Sequence, residues 1–268
     1  MATLLELREQ PHWSYSALNT YLNMCSLKYA FQYVYGTEPE RTAASLPFGR
    51  AFHIAATEHA RQVMKGTRMT LPELHEVFVE WFKAECSGCV NLAFKNGETM
   101  DLLIEQAKFM LDALLARWID WDNIVSVAQA FKVEVPGLDR VFIGEYDLVI
   151  KEGNCSTIVD WKTSATRWPS GKADKDLQAT AFSYAFSQTS GKIPDFRFDV
   201  VTKTKNPNLD SLYTSRDNED FERFVKLANL VDQAVNKEVF LPAETSFCCG
   251  DCQFASACKA WGCQHKAA

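Results

Sequence analysis

Apolar residues recur at helical spacing through the first part of the chain and at strand spacing later. Leu18, Tyr21, Leu22 and Cys25 fall on one helical face, with Ser14 or Ser16 as the N-cap; Tyr29, Tyr33 and Tyr35 make the next stretch aromatic. Gly36 to Pro47 reads as a loop. Gly49 opens a second helix reaching about Lys65, and residues 72–84 and 99–119 predict two more, linked by Cys86 to Gly97. The period then changes. Ser126–Val135, Arg140–Ile150 and Thr157–Asp160 are rich in β-formers, with turn segments at Gly137-Leu138-Asp139 and Glu152-Gly153-Asn154. They predict a meander of three strands. A helix over Ala173–Ser187, a strand over Phe196–Thr202 and a helix over residues 217–236 follow. Strands, then helix, then strand give an α/β core. No internal repeat or low-complexity segment interrupts it.

Composition narrows the class. The 268 residues are 47% hydrophobic, with no apolar run near the roughly 18 residues of a membrane span. Met1 to Arg8 lacks the basic start and apolar centre of a secretory signal. The expectation is a cytoplasmic protein with no membrane partner. The net charge of −6 confines any nucleic-acid surface to a local patch. Nine cysteines in a reducing compartment argue for metal ligation rather than a disulfide framework. Five of them, Cys248, Cys249, Cys252, Cys258 and Cys263, crowd the last 21 residues.

Asp160-Trp161-Lys162 carries the candidate chemistry. It ends the apolar run Ser156-Thr157-Ile158-Val159 and follows Asp147, in Gly144-Glu145-Tyr146-Asp147, by thirteen positions. Carboxylates on neighbouring strands can hold a hard divalent cation, and an amine beside them can steady a phosphate or help deprotonate a water. Lys162 shares the strand face of Asp160, while Tyr146 faces away from Asp147. Glu145 joins the metal shell or not according to whether a bulge breaks the alternation. Gly144 allows a close approach of backbone.

Taken in order, Gly-x-x-x-His at Gly49–His53, Gly-x-x-Asp, Asp-x-Lys and a helix opening on Gln178 resemble the PD-(D/E)XK nuclease superfamily in its RecB-like branch. The resemblance spans nearly the whole chain. It implies a restriction-endonuclease-like fold, a central mixed sheet flanked by helices. It also implies one nuclease domain over residues 1–268: a mainly helical part over 1–120, an α/β catalytic core over 121–240 and a cysteine-rich, cluster-binding tail over 241–268. His53, Asp147 and Asp160 would hold Mg²⁺ or Mn²⁺, Lys162 would be the catalytic lysine, and Gln178 would support the substrate side. Imidazole suits Mn²⁺ better than Mg²⁺. The branch's Gln-x-x-x-Tyr helix reads Gln178-Ala179-Thr180-Ala181-Phe182 here, with phenylalanine for tyrosine and Tyr184 elsewhere on the helix.

Cys249, Cys252 and Cys258 form Cys-x2-Cys-x5-Cys, and the distant Cys25 can supply a fourth thiolate. Four thiolates suit a 4Fe–4S cluster or a structural Zn²⁺, and spacing leaves both open. The resemblance selects the cluster, because iron–sulfur members carry one cysteine before the nuclease core and three after it. Ser26 stands where proline often follows the first cysteine, and Cys248 and Cys263 are spare thiols. Cys86 and Cys89 read as buried or free thiols, and Cys155 has no role assigned. Arg167, Trp168, Lys203 and Lys205 are candidate DNA contacts. The chain has no Gly-x-x-x-x-Gly-Lys-Ser/Thr loop, so unwinding would fall to a helicase or a recombination or integration partner. The expected activity is a metal-dependent deoxyribonuclease, an exonuclease on single-stranded DNA ends. The alternatives are an endonuclease or end-trimming subunit of a recombination or CRISPR-integration complex, and a non-catalytic iron–sulfur DNA-binding subunit.

Overall fold

A computed structural model describes residues 2–95, 97–116, 123–246 and 248–262. The chain opens with helix α1 (Leu4–Leu7), strand β1 (His12–Ser14) and helix α2 (Tyr15–Asn19). A π-helical turn (Thr20–Met24), helix α3 (Ser26–Tyr29) and a second π-helical turn (Ala30–Val34) follow. Next come β2 (Thr42–Ala43), α4 (Ser45–Met64), α5 (Leu71–Ser87), β3 (Leu92–Ala93) and α6 (Met100–Ala116). The later half holds β4 (Ile124–Val133), β5 (Val141–Glu152), β6 (Cys155–Ser164), α7 (Leu177–Ser190), β7 (Asp195–Thr202), β8 (Leu209–Thr214), α8 (Asn218–Asn236) and α9 (Ala255–Ala260).

The expected meander forms, since β4 pairs antiparallel with β5 and β5 with β6. β6 then runs parallel to β7, and β7 antiparallel to β8, so the sheet is mixed. One cluster of buried side chains on α4, α5 and α6 covers one face. A second, from α2, α3, α7 and α8, covers the other. This is the restriction-endonuclease-like arrangement, helices flanking a central mixed sheet. Phe48, Phe78 and Phe82 are fully buried in the first cluster. Each contributes on the order of 1.5–3 kcal/mol of burial. Among the described residues no helix is long and apolar enough to cross a membrane.

Several boundaries differ from the sequence expectation for local reasons. Pro47 does not end a loop; it sits in the first turn of α4, where its missing N–H costs nothing. Cys25 does not continue the helical face begun at Leu18, because it adopts an extended backbone (φ −166°) between the first π-helical turn and α3. Ser14 caps α2, accepting from the Ala17 N–H. The helix expected from Ala173 starts later: Ala173–Lys175 is a 3₁₀ turn, and Asp176 breaks it and caps α7. β1 and β8 are short and carried no alternation long enough to announce them. Of the stretch 99–119, residues 117–119 lie outside the described residues.

The sheet forks where the site will stand. β4 takes one edge of β5 from Phe142 to Ile150. β1 takes the other edge at Val141–Ile143, and β6 takes it from Leu148 to Glu152. Among the described residues Gly144–Asp147 therefore has no ladder partner on that second edge. β4 and β5 also exchange faces at this level. Tyr146 and Phe131 pack in the α7–α8 cluster, whereas Leu148 and Val127 pack against the α4–α6 cluster. The change centres on Ala128, a non-glycine residue at φ 47°, whose register position faces Asp147. Opposite Phe131, Gly144 is required: a Cβ there would come within 2.4 Å of the Phe131 ring. The close approach is by an aromatic ring.

The first and last segments are stitched together. Trp13 Nε1 donates to Asp232 Oδ1 at 3.0 Å, Leu27 N to Leu241 O at 3.2 Å, and Glu40 N to Gln253 O at 2.9 Å.

Candidate active site

Past Val159, β6 parts from β5, and its backbone needs a new acceptor. Asp147 supplies it: the Trp161 N–H donates to Asp147 Oδ2 at 2.9 Å. Trp161 itself is buried against α4–α6, with its ring edge-on to His53 at 6.4 Å. α4 thus delivers His53, whose Nδ1 lies 3.1 Å from the same Asp147 Oδ2. On β6, Asp160 and Lys162 share a face, as the strand period requires, and Lys162 Nζ lies 2.5 Å from Asp160 Oδ2.

Gln178 joins them from the first turn of α7. Its Nε2 donates to Asp160 Oδ1 at 2.5 Å, and its Oε1 accepts from Lys162 Nζ at 2.9 Å. Five predicted residues, His53, Asp147, Asp160, Lys162 and Gln178, therefore converge at the fork. Glu145 does not join them. It faces a groove of about 880 Å³ beside α1 and α4, shared with Arg8 and Arg61. Burial and the nearby Asp147 charge push its pKa up.

Charges at the fork are mutually compensating. Burial disfavours the His53 imidazolium, but Asp147 outweighs it and the pKa rises. Burial raises the Asp147 carboxyl, yet His53 and Lys162 bring it below its ordinary value. Asp160 moves up because burial and Asp147 outweigh the Lys162 ammonium. Lys162 is raised: burial opposes its charge, and Asp160 and Asp147 more than restore it.

Two residues at the site escaped the sequence reading. Asp176 accepts from the Gln178 N–H at 2.9 Å and from the Tyr15 hydroxyl at 3.3 Å. Tyr15 stands edge-on to Phe182 with ring centroids 6.4 Å apart, so a phenol reaches this region from β1's end of the chain although position 182 carries none. The signal for Asp176 was its place directly before Leu177-Gln178, an N-cap in a helix start set too early. Arg216 was missed as well. Buried, it donates to Thr180 Oγ1, Thr214 Oγ1, Ser215 O, Ala173 O and Asp176 O, fixing the turn that leads into α7.

Among the described residues no three His, Cys, Asp or Glu side chains form a ready metal-binding group. The acids are instead held by internal cations, Asp147 by His53 and Asp160 by Lys162. The donor chemistry still suits a hard divalent cation. Two carboxylates and an imidazole face one fork, and no aligned hydrogen bond reaches Asp160 Oδ2.

The candidate DNA contacts spread around the rim. Arg167 is paired with Asp210 at 3.3 Å. Trp168 rests against Phe198, ring centroids 5.1 Å apart, with Lys172 Nζ 3.8 Å from its own centroid. Lys203 Nζ lies 3.8 Å over the Phe48 ring, and burial pulls its pKa down to about 8. Lys205 is exposed.

Two of the tail cysteines, Cys252 and Cys258, pack against the same core cluster as Cys25. Burial pushes the Cys258 thiol up, and the neighbouring Cys25, Cys252 and Cys249 add to the shift. Cys25 Sγ accepts from Lys28 N and from Ala243 N, both at 3.4 Å. Cys248 instead sits 3.1 Å from Ser246 Oγ, and Cys263 lies outside the described residues. Cys86 is buried in the α4–α6 cluster, and Cys155 is exposed.

Comparison with known proteins identifies the family and the fold. Residues 12–259 match the PD-(D/E)XK nuclease superfamily. The fold is similar to a crystal structure of a candidate exonuclease from Eubacterium rectale, with a TM-score of 0.59 at 12% identity over 90% of this chain and 87% of that one. The crystal structure of SSO0001 aligns over 91% of this chain and 95% of its own at 12% identity, with a TM-score of 0.39. No curated protein matches the sequence.

Proposed function

The chain belongs to the PD-(D/E)XK nuclease superfamily, and from that premise we propose that it is a metal-dependent deoxyribonuclease working as an exonuclease on single-stranded DNA ends. The observation carrying this reading is Gln178, whose amide ties Asp160 to Lys162 while Asp147 and His53 meet beside them. A complete acid–acid–lysine set, fixed from two helices and two strands, is more than a non-catalytic subunit needs.

In this reading His53, Asp147 and Asp160 hold Mg²⁺ or Mn²⁺. When bound, such a cation lowers the pKa of a water and offsets charge on the scissile phosphate. Lys162, kept cationic by the two acids, orients the attacking water or the phosphate. Gln178 fixes both partners in place, and Asp176 fixes Gln178. Water adds to phosphorus and the 3′ oxygen leaves with a proton, giving 5′-phosphate and 3′-hydroxyl ends.

Cys25, Cys249, Cys252 and Cys258 are the proposed ligands of a 4Fe–4S cluster, with structural Zn²⁺ as the alternative for the same thiolates. The packing of Cys25, Cys252 and Cys258 against one core cluster supports the donor set. A bound cluster would clamp the tail to α3, adding metal–thiolate bonds to the backbone bonds already there. Brown colour with visible charge-transfer absorbance identifies iron–sulfur, and a colourless metal-bearing protein identifies zinc.

The test is digestion of end-labelled single- and double-stranded DNA, and of a circular single strand, with Mn²⁺. Wild type should shorten labelled single-stranded ends and leave the circle intact, and Asp160→Ala should leave both substrates intact. Nicking of the circle would make the protein an endonuclease. Identical behaviour of wild type and Asp160→Ala would remove catalysis from the account.

A further inference from the structure

Beyond Lys162 the chain makes a tight reversal that no motif explains. Trp168-Pro169-Ser170-Gly171-Lys172 turns back on itself: the Lys172 N–H donates to Pro169 O at 3.2 Å, and Gly171 takes φ +74°. A positive φ at the third position of a four-residue turn demands glycine. The reversal lays Lys172 over Trp168, Nζ 3.8 Å from the ring centroid. Trp168 leans on Phe198 with centroids 5.1 Å apart, and Phe198 in turn has Lys162 Nζ 5.9 Å from its centroid. Two aromatic rings thus stand between two ammonium groups. Lys172 feels the charges of both Lys162 and Asp176.

Three cations, on β6, on β7 and in the loop after β6, are already paired. Arg167 is paired with Asp210, Lys162 with Asp160, and Arg197 with Asp199. Asp176 Oδ1 is committed to Gln178 N and Tyr15 OH. Among the described residues no carboxylate forms a salt bridge with Lys172, although an indole face fixes its height. An ammonium stacked on tryptophan keeps its charge and donors for an incoming anion.

We propose that Lys172 is a phosphate-binding residue of this site, mounted on Trp168, and that it grips a phosphodiester flanking the scissile one on a single strand. The inference rests on the nuclease reading above and assigns Trp168 a different part in it. With Lys172 on one face, Trp168 is a pedestal for the cation rather than a platform for a base.

Counterion release provides the test. Binding of a fluorescent single-stranded oligonucleotide is followed by anisotropy in EDTA across a range of salt concentrations, so that no metal or turnover enters. Removing one phosphate contact lowers the slope of log K against log salt by about 0.7 on single strands. Lys172→Ala should lose that increment, and affinity in low salt should fall about 3–10-fold. Lys172→Arg should keep the slope. Trp168→Leu, with the pedestal gone, should behave as Lys172→Ala does. A thermal melt of each variant identifies any that fail to fold. Because Lys172 is exposed, its alanine variant should melt as wild type does. An unchanged slope in Lys172→Ala, with wild type still binding and cutting, overturns the Lys172 inference alone. A wild type that neither binds nor cuts overturns the nuclease reading and takes this one with it.

Discussion

The side-chain amide of Gln178 donates to Asp160 Oδ1 at 2.5 Å, from a helix whose first turn is capped by Asp176. Its other end accepts from Lys162, so one buried residue sets the spacing of an acid and an amine. Gln178→Glu keeps the size but removes the donor and places a second carboxylate against Asp160. A displacement of the reacting groups by an ångström costs on the order of 100-fold. Gln178→Glu is therefore expected to lower kcat by about 10–100-fold with KM little changed. Steady-state kinetics on single-stranded DNA check this; a kcat within twofold of wild type would refute the bridging role.

Arg216 acts one step further back. Three of its five hydrogen bonds go to the turn and helix that present Gln178, and the other two anchor it to Thr214 and Ser215. Arg216→Lys keeps the charge but cannot reproduce the fork. The expected outcome is a loss of about 2–3 kcal/mol in urea-unfolding free energy together with a lower kcat. Undiminished kcat in a destabilised variant would make Arg216 purely structural.

Ala128 holds φ 47° in the middle of a strand, where a side chain costs about 1–2 kcal/mol. Glycine removes that strain but gives back about 0.5–1 kcal/mol in chain entropy. Ala128→Gly should be neutral or stabilising by up to about 1 kcal/mol, and Ala128→Val destabilising by about 1–2 kcal/mol or more. Chemical denaturation measures both. The opposite order would mean that β4 runs straight past Asp147.

Lys203 gives the pH prediction. Burial lowers its pKa to about 8 from an ordinary 10.5. Below pH 8 the group is charged in both states, and the folded state bears the full cost. Between pH 8 and 10.5 the unfolded chain binds more protons, so this group's contribution to stability rises with pH. The Phe48 ring already returns about 0.5–1 kcal/mol of the cost through its contact with the ammonium. After solvent screening, Lys203→Met should stabilise by about 1–2 kcal/mol at pH 7. Melting curves of variant and wild type should draw together as pH rises past 8. A constant gap would show that desolvation is not the cause.

Cys252→Ser should abolish the visible absorbance expected of the cluster and lower thermal stability in the same protein. Absorbance and melting temperature, measured together, check it. Loss of colour with an unchanged melting temperature would separate the cluster from the fold.

Much of the site was legible because its residues obey short-range periods. Asp160 and Lys162 had to share a face, Tyr146 had to turn from Asp147, and Gln178 sat at a helix start. Pairing supplied what period could not. Nothing local says that β6 leaves β5 after Val159, or that Asp147 then takes the Trp161 N–H. β1 is three residues long and is made a strand by its partner Val141–Ile143. Tyr15 and Asp176 meet across 161 positions, and Arg216 reaches its turn across about 40. Such contacts leave no periodic trace. Ala128 was invisible for the opposite reason: an alanine at a left-handed position looks like any other alanine until its neighbours over-determine it.

The bond from Trp13 to Asp232 has a temporal meaning. The two residues are 219 positions apart, and at about 5–20 residues per second a ribosome needs on the order of 11–44 s to deliver the second after the first. Throughout that interval Trp13 and the aromatic residues behind it have no finished surface to rest on. While the residues between them are being made, this aromatic segment therefore stays uncovered, and the sheet gains β8 only late in that interval.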